Sequence, residues 1–173
     1  QASRQGKDVT VVVELLARFE EAANIALAKR LQTAGAKVVY GIVGTKCHAK
    51  MLLIVRREQK KLKRYVHLGT GNYHSANARY YTDFGLITAN AKIGEDVHKV
   101  FLELTSLGQA FPLKYLLQSP FTLHTGIIQH IESEIAAAQA GQPAFIWAKM
   151  NALSEPEIIQ ALYRASQAGI PIR

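Results

Sequence analysis

A histidine and a lysine stand two residues apart in GTKCHAKMLLIVRRE (residues 44–58), at the head of an unbroken apolar run. In a strand, residues i and i+2 point to one face, so His48 and Lys50 project together. A neutral imidazole nitrogen is a nucleophile near neutral pH, and a phosphohistidine divides one phosphoryl transfer into two easier steps. An ammonium at Lys50 can hold an oxygen of the group under attack, and its charge disfavours imidazolium and keeps the histidine reactive. The same letters also describe a packed core histidine beside a snorkelling lysine. The dyad alone does not choose between these readings.

A second element does more. HLGTGNYH follows on the next strand, where Gly69 and Gly71 let the backbone approach an anion closely and Asn72 adds a neutral donor. A nucleophile and an anion cradle on adjacent strands make a site more probable than either motif by itself. His67 reads equally as structural or as a neighbour of that site, and His74 as solvent-facing or as a further anion contact. Arg18 follows the first strand, where the strand ends of α/β sheets hold ligands, and its fork suits phosphate as well as it suits an ion pair with Glu20 or Glu21. Tyr80 and Tyr81 offer a ring for stacking or belong to a core. VRREQKKLKR, with six Lys or Arg residues and one Glu, reads as a solvated hairpin tip or as a landing strip for a long polyanion.

The elements that must position these residues follow the pattern of an α/β protein. DVTVVVEL reads as a strand, EEAANIALAKRLQTAG as a helix with Ile25, Leu27, Ala28 and Leu31 at near-helical spacing and Gly35 as its stop, and AKVVYGIV as a parallel second strand. KMLLIVRR and LKRYVHLG form a hairpin around EQKK, and a Gly- and Asn-rich loop leads to the strand DFGLITAN. GEDVHKVFLELTSLG is predicted helical, with Val97, Val100, Phe101 and Leu104 on one face and acids in its first turn. The pattern breaks near residues 114–122. A second cycle follows: helix HTGIIQHIESEIAAAQAG, strand PAFIWAKM, helix SEPEIIQALYRASQAG with its N-cap at Ser154 and Pro156 in the first turn, and IPIR.

The 173 residues carry a net charge of +8, which favours a polyanionic partner. No stretch approaches the roughly 18 apolar residues of a membrane span. The lone Cys47 leaves no intrachain disulfide and no cysteine-based zinc site, in keeping with a reducing cytoplasm. The start at Gln1 and the strand-like ending GIPIR make an internal piece of a longer protein the expectation.

Taken in order, VVVELLARFEEAANI, GTKCHAKMLLIVRRE, YVHLGTGNYH, ARYYTDFGLIT and SPFTLHTGIIQHIESEI resemble the bacterial polyphosphate kinases of the first type, through essentially the whole chain. The resemblance implies an α/β, phospholipase-D-like mixed sheet flanked by helices over residues 1–116, and the beginning of a second, similar domain over residues 117–173. It implies reversible transfer of the terminal phosphate of ATP to inorganic polyphosphate, with Mg²⁺, through a phosphohistidine at His48. Arg18 matches a family arginine of the magnesium–phosphate site; a guanidinium cannot ligate a cation, so it is read as binding phosphate oxygens that Mg²⁺ also holds. Tyr81 matches the nucleotide-contacting tyrosine, and Lys50, Gly69, Gly71 and Asn72 match the cradle around the histidine. The broader phospholipase D pattern has an aspartate where this chain has Val55, a departure that counts against phosphodiester hydrolysis. A phospholipase-D-like phosphodiesterase and a non-catalytic polyanion-binding module stay open as alternatives. The resemblance also implies homo-oligomers, a cytoplasmic place with peripheral membrane association left open, and no nucleic-acid partner. It places the family's second catalytic histidine after Arg173, so this chain holds about half a site and is expected to be inactive alone.

Overall fold

The run Thr-Val-Val-Val forms β1 (Thr10–Val13), because side chains branched at Cβ favour extended backbone. The computed structural model describes residues 1–14, 21–41, 46–106 and 110–173; Arg18 and the dipeptide of residues 44–45 lie outside the described residues. From β1 the chain passes to α1 (Glu21–Thr33) and then to β2 (Lys37–Tyr40), which pairs parallel with β1 from Thr10↔Lys37 to Val13↔Tyr40. Gly35 ends the helix at φ 87°, where its own N–H donates to Gln32 and that of Ala36 reaches back to Leu31 at 3.0 Å. Of the apolar residues expected on one face of α1, only Ala28 is fully buried, while Ile25 and Leu27 stay exposed. A sheet two strands wide, with neighbours about 4.8 Å apart, is too narrow to cover a helix face.

The hairpin of β3 (Lys50–Glu58) and β4 (Lys61–Gly69) turns on Gln59 and Lys60, both with positive φ, at 46° and 66°. That geometry matches the twist of the strands but is ordinarily supplied by Asn-Gly. Gln59→Asn combined with Lys60→Gly is therefore expected to stabilise the hairpin by about 1 kcal/mol, read as a rise in its unfolding midpoint. Glu58 partly neutralises this basic tip: it accepts from the Tyr65 hydroxyl at 3.0 Å and pairs with Arg56 at 3.6 Å and Lys63 at 3.8 Å. After a single helical turn, α2 (Asn77–Tyr80), β5 (Gly85–Thr88) pairs antiparallel with β4.

Residues directly opposite in these ladders share a face of the sheet. One face carries Leu53, Arg64, Val66 and Thr88. Against it lies α3 (Ala91–Thr105), with Gly94 close to the stem of Arg64 and with Val66 and Val97 buried. The other face carries Lys50, Leu52, Ile54, Tyr65, His67, Gly69 and Ile87, and here Leu52, Ile54 and Ile87 are exposed. α3 begins three residues before the expected Gly94, because the Asn90 side chain caps it by accepting from Lys92 N at 2.9 Å and Ile93 N at 3.3 Å. The acids Glu95 and Asp96 consequently fall beyond the first turn. Asp96 is buried, and one of its carboxylate oxygens accepts from the amides of Lys114 (2.9 Å), Tyr115 (2.6 Å) and Leu116 (3.0 Å).

The chain divides into Gln1–Leu116, described above, and Leu117–Arg173. In the second unit α4 (Leu123–Gln139) and α5 (Pro156–Gln167) pack through Ile131, Ile135, Ala161 and Ala165, joined by Ile170. The expected strand at residues 143–150 reduces to one parallel bridge, Ile146↔Ile172, with three backbone hydrogen bonds around it. The segment facing it contains Pro171, which has no N–H to give. The cap of α5 is Glu155 rather than Ser154: the carboxylate accepts from Ile158 N at 2.7 Å, and Pro156 follows at the first helical position. Gly169 closes α5 at φ 82°, with the N–H of Ile170 donating to Ala165, so the opening strand–helix–strand pattern recurs down to the form of its helix stop. Among the described residues no helix is long and apolar enough to cross a membrane.

Candidate active site

His48 lies just ahead of β3, and Lys50 is the first residue of that strand. The Lys50 Nζ stands 3.1 Å from both ring nitrogens of His48, and because a neutral imidazole has one unprotonated nitrogen, only one of the two can accept from the ammonium. The positive charge of Lys50, then burial and the charge of Lys46, hold His48 below the usual imidazole pKa. Burial in turn lowers Lys50, a trend that the Asp83 carboxylate opposes. The imidazole is therefore neutral, and nucleophilic, down to a lower pH than a free histidine. The segment bearing it is tied to the end of β1, where Glu14 accepts from the Cys47 amide at 2.6 Å. Burial raises the Cys47 thiol pKa and keeps the neighbouring sulfur protonated.

Across the sheet, Lys50 faces Gly69 and Gly69 faces Gly85. The space a side chain would take at these glycines holds the His67 imidazole: a Cβ on Gly69 would stand 3.2 Å from its Cε1, and one on Gly85 2.8 Å from its Nε2. The His67 Nδ1 lies 2.6 Å from the Tyr73 hydroxyl. Against Gly71 lies the Asp83 carboxylate, and a Cβ there would come within 2.7 Å of both of its oxygens. The Thr70 hydroxyl donates to Asp83 at 3.0 Å and accepts from Phe84 N at 2.9 Å, which fixes that carboxylate.

The sequence-predicted residues are thus brought together unequally. His48, Lys50 and Gly69 share one face, and Gly71 connects to it through Asp83. Asn72 and Tyr81 are exposed, and among the described residues neither is hydrogen-bonded to His48 or Lys50; Tyr81 closes α2 with its N–H on Asn77. Arg18 lies outside the described residues. Sequence reasoning missed Glu14, Tyr73, Asp83 and Gly85. Only Gly85 left a signal, since a glycine opening a strand marks close approach of another group.

Among the described residues no group of three His, Cys, Asp or Glu side chains could hold a metal ion.

The family of polyphosphate kinase C-terminal domain 1 matches residues 1–110, and that of polyphosphate kinase C-terminal domain 2 matches residues 116–173. The chain is 65% identical over 172 residues to a polyphosphate kinase of Xylella fastidiosa strain 9a5c, and 62% identical over 176 residues to one of Burkholderia cenocepacia strain HI2424. Each match takes in 99% of this chain but only 25% and 26% of the relative, so the chain spans about a quarter of their length. It also superposes on the crystal structure of the polyphosphate kinase from Porphyromonas gingivalis with a TM-score of 0.82 at 36% identity, covering 99% of this chain and 29% of that one. The mixed α/β fold is shared, and the chain belongs to the polyphosphate kinase family.

Proposed function

We propose that the longer protein containing this chain transfers the terminal phosphoryl group of ATP to inorganic polyphosphate, reversibly, through a phosphohistidine at His48. The observation that carries this reading is the His48 ring beside the Lys50 ammonium at 3.1 Å, in a chain of the polyphosphate kinase family. In the first step the unprotonated ring nitrogen forms a bond to the γ-phosphorus while the bond to the bridging oxygen breaks, and ADP leaves with that electron pair. In the second, a terminal oxygen of polyphosphate takes the phosphoryl group and frees the imidazole. Lys50 offsets charge on the transferred group, which is where such catalysts gain most of their rate. Gly69, Gly71 and Asn72 would line the phosphate, Arg18 would bind its oxygens beside any Mg²⁺ that enters with them, and Tyr81 would contact the nucleotide. Mg²⁺ neutralises phosphate charge when it enters with the nucleotide.

The test is intact mass of that longer protein after Mg-ATP, quenched at alkaline pH because phosphohistidine is acid-labile. One added phosphate, mapped to His48 and removed by ADP, is expected. ATP consumption with no adduct would overturn the two-step route. Lys50→Met should lower the plateau rate by about 10²-fold. It also removes the charge that holds His48 low, so the histidine pKa rises and the acid limb of the pH–rate profile moves to higher pH. An unmoved acid limb would remove Lys50 from this role.

A further inference from the structure

We infer that the tip of the β3–β4 hairpin, with Arg56, Arg57, Lys60, Lys61 and Lys63, is a second anchoring site for polyphosphate that holds a long chain at a distance from His48. This rests on the function proposed above and deepens it, since it makes chain length something the protein reads.

The hairpin projects. Val55 and Leu62 lie on the face that α3 covers nearer Val66, yet they are 47% and 59% exposed, so both strands run on past the helix. An arm with solvent on both sides has no core to serve, and this one carries charge: residues 56–63 hold five Lys or Arg and one Glu. Glu58 pairs with Arg56 and Lys63; among the described residues no carboxylate pairs with Arg57, Lys60 or Lys61. The arrangement costs stability in two places. Arg56 and Lys63 stand directly opposite in the ladder, where like charges repel. Gln59 and Lys60 take positive φ without glycine, which sets a cation at the apex. A polyanion relieves the first and meets the second.

The arm offers what a chain of phosphates needs and little else. No aromatic side chain stands within residues 56–63, so a nucleic-acid base has nothing to stack on. One leucine, Leu62, is too little apolar surface to enter a membrane. Arg56 and Lys63 also share a face of the sheet with Lys50, and Arg56 is six residues along the strand from it, about 20 Å at about 3.3 Å per residue. Leu52 and Ile54, between them, give phosphate no partner. A chain bound near Lys50 therefore gains from the tip only if it spans that gap, which takes about seven phosphates at about 3 Å each. One that does so gains through effective concentration, without any new contact at His48.

The test combines Arg57→Gln, Lys60→Gln and Lys61→Gln in the intact longer protein. All three side chains are exposed, so the unfolding midpoint should not fall. In the direction that makes ATP from ADP, KM for polyphosphate of about 100 phosphates is expected to rise about tenfold, with kcat and KM for ADP little changed. KM for tripolyphosphate should stay as it is, because that chain cannot reach the tip. Binding of the same long polyphosphate, followed by the anisotropy of an end-labelled chain, should weaken alike, and the slope of log Kd against log salt should fall by about 2. Removing three exposed cations elsewhere, with Arg4→Gln, Lys7→Gln and Lys29→Gln, should leave KM for the long chain near its wild-type value. Unchanged long-chain KM and binding in the tip variant, or an equal loss for tripolyphosphate, would overturn the inference. An equal loss in the control variant would overturn it as well, by making the effect one of net charge. Single-stranded DNA or anionic-lipid vesicles that bound more tightly than polyphosphate, and lost that binding in the tip variant, would assign the arm to that partner instead. Should the wild type make no ATP at all, the kinase reading falls, and the binding measurement still decides the anchor.

Discussion

His48→Ala, made in the longer protein that contains this chain, is expected to take up no phosphate from Mg-ATP and to lose polyphosphate synthesis by about 10⁴-fold or more, the scale on which removing a covalent nucleophile acts. His48 is exposed and makes its close polar contact with Lys50 alone among the described residues, so the substitution opens no core cavity and should leave the unfolding midpoint unchanged. That separates chemistry from folding. His48→Gln should behave alike, since an amide keeps the polarity of the ring but is no nucleophile. Labelling that persisted in either variant would place the nucleophile elsewhere and leave His48 as a charged-surface residue. The neutral imidazole is maintained by neighbouring charge rather than by deep burial, so adding salt should weaken that control and raise the histidine pKa.

The second large effect concerns stability. Asp96 brings one carboxylate oxygen to three consecutive amides, and it tethers the segment leading out of the first unit. Burial alone would raise its pKa, but the amides of Tyr115, Leu116 and Lys114, with the charge of Lys99, outweigh burial and hold it below the ordinary carboxylate value. Asp96→Ala leaves those amides without their acceptor, at a cost of about 3 kcal/mol. The readout is hydrogen exchange at residues 114–116, which should speed up by about 10²-fold. Asp96→Asn, which keeps an acceptor without charge, should lose roughly half as much. Because the folded-state pKa is depressed, the stabilisation is present in full above the unfolded value of 3.8 and is lost as pH falls through the lower folded value. Unchanged exchange in Asp96→Ala would mean the segment is held by other contacts.

How far the sequence reached can be argued from particular residues. The βαβ opening, the hairpin and the long helices were legible because apolar spacing and glycine stops are local signals. The start of α3 was misplaced because a cap depends on one side chain, Asn90, which the acids downstream outshone. The strand near Ile146 was overcalled because β-branched and aromatic letters describe a half-buried surface, while pairing needs a partner with donors to give. At the site, His48 and Lys50 were legible because i and i+2 suffice to bring them to one face. Tyr73 and His67, Gly85 and the same imidazole, and Glu14 with the Cys47 amide were not. Those encounters join residues 6, 18 and 33 positions apart, and the register of the strands and the return of the loop decide them. The glycines at 69 and 71 were legible as places of close approach, but the sequence could not say that an imidazole and a carboxylate occupy the space.

The bare apolar face of β3, β4 and β5 bears on how the chain is made. A two-stranded hairpin with a short turn forms early during synthesis, because its contacts are local. Leu52, Ile54 and Ile87 then stand open to solvent on the face that also bears Lys50. A nascent polypeptide showing such a surface is a client for chaperones and a seed for clumping until something lies over it. The face that bears Lys50 is thus also an apolar one, and the order in which segments fold decides how long it stands open.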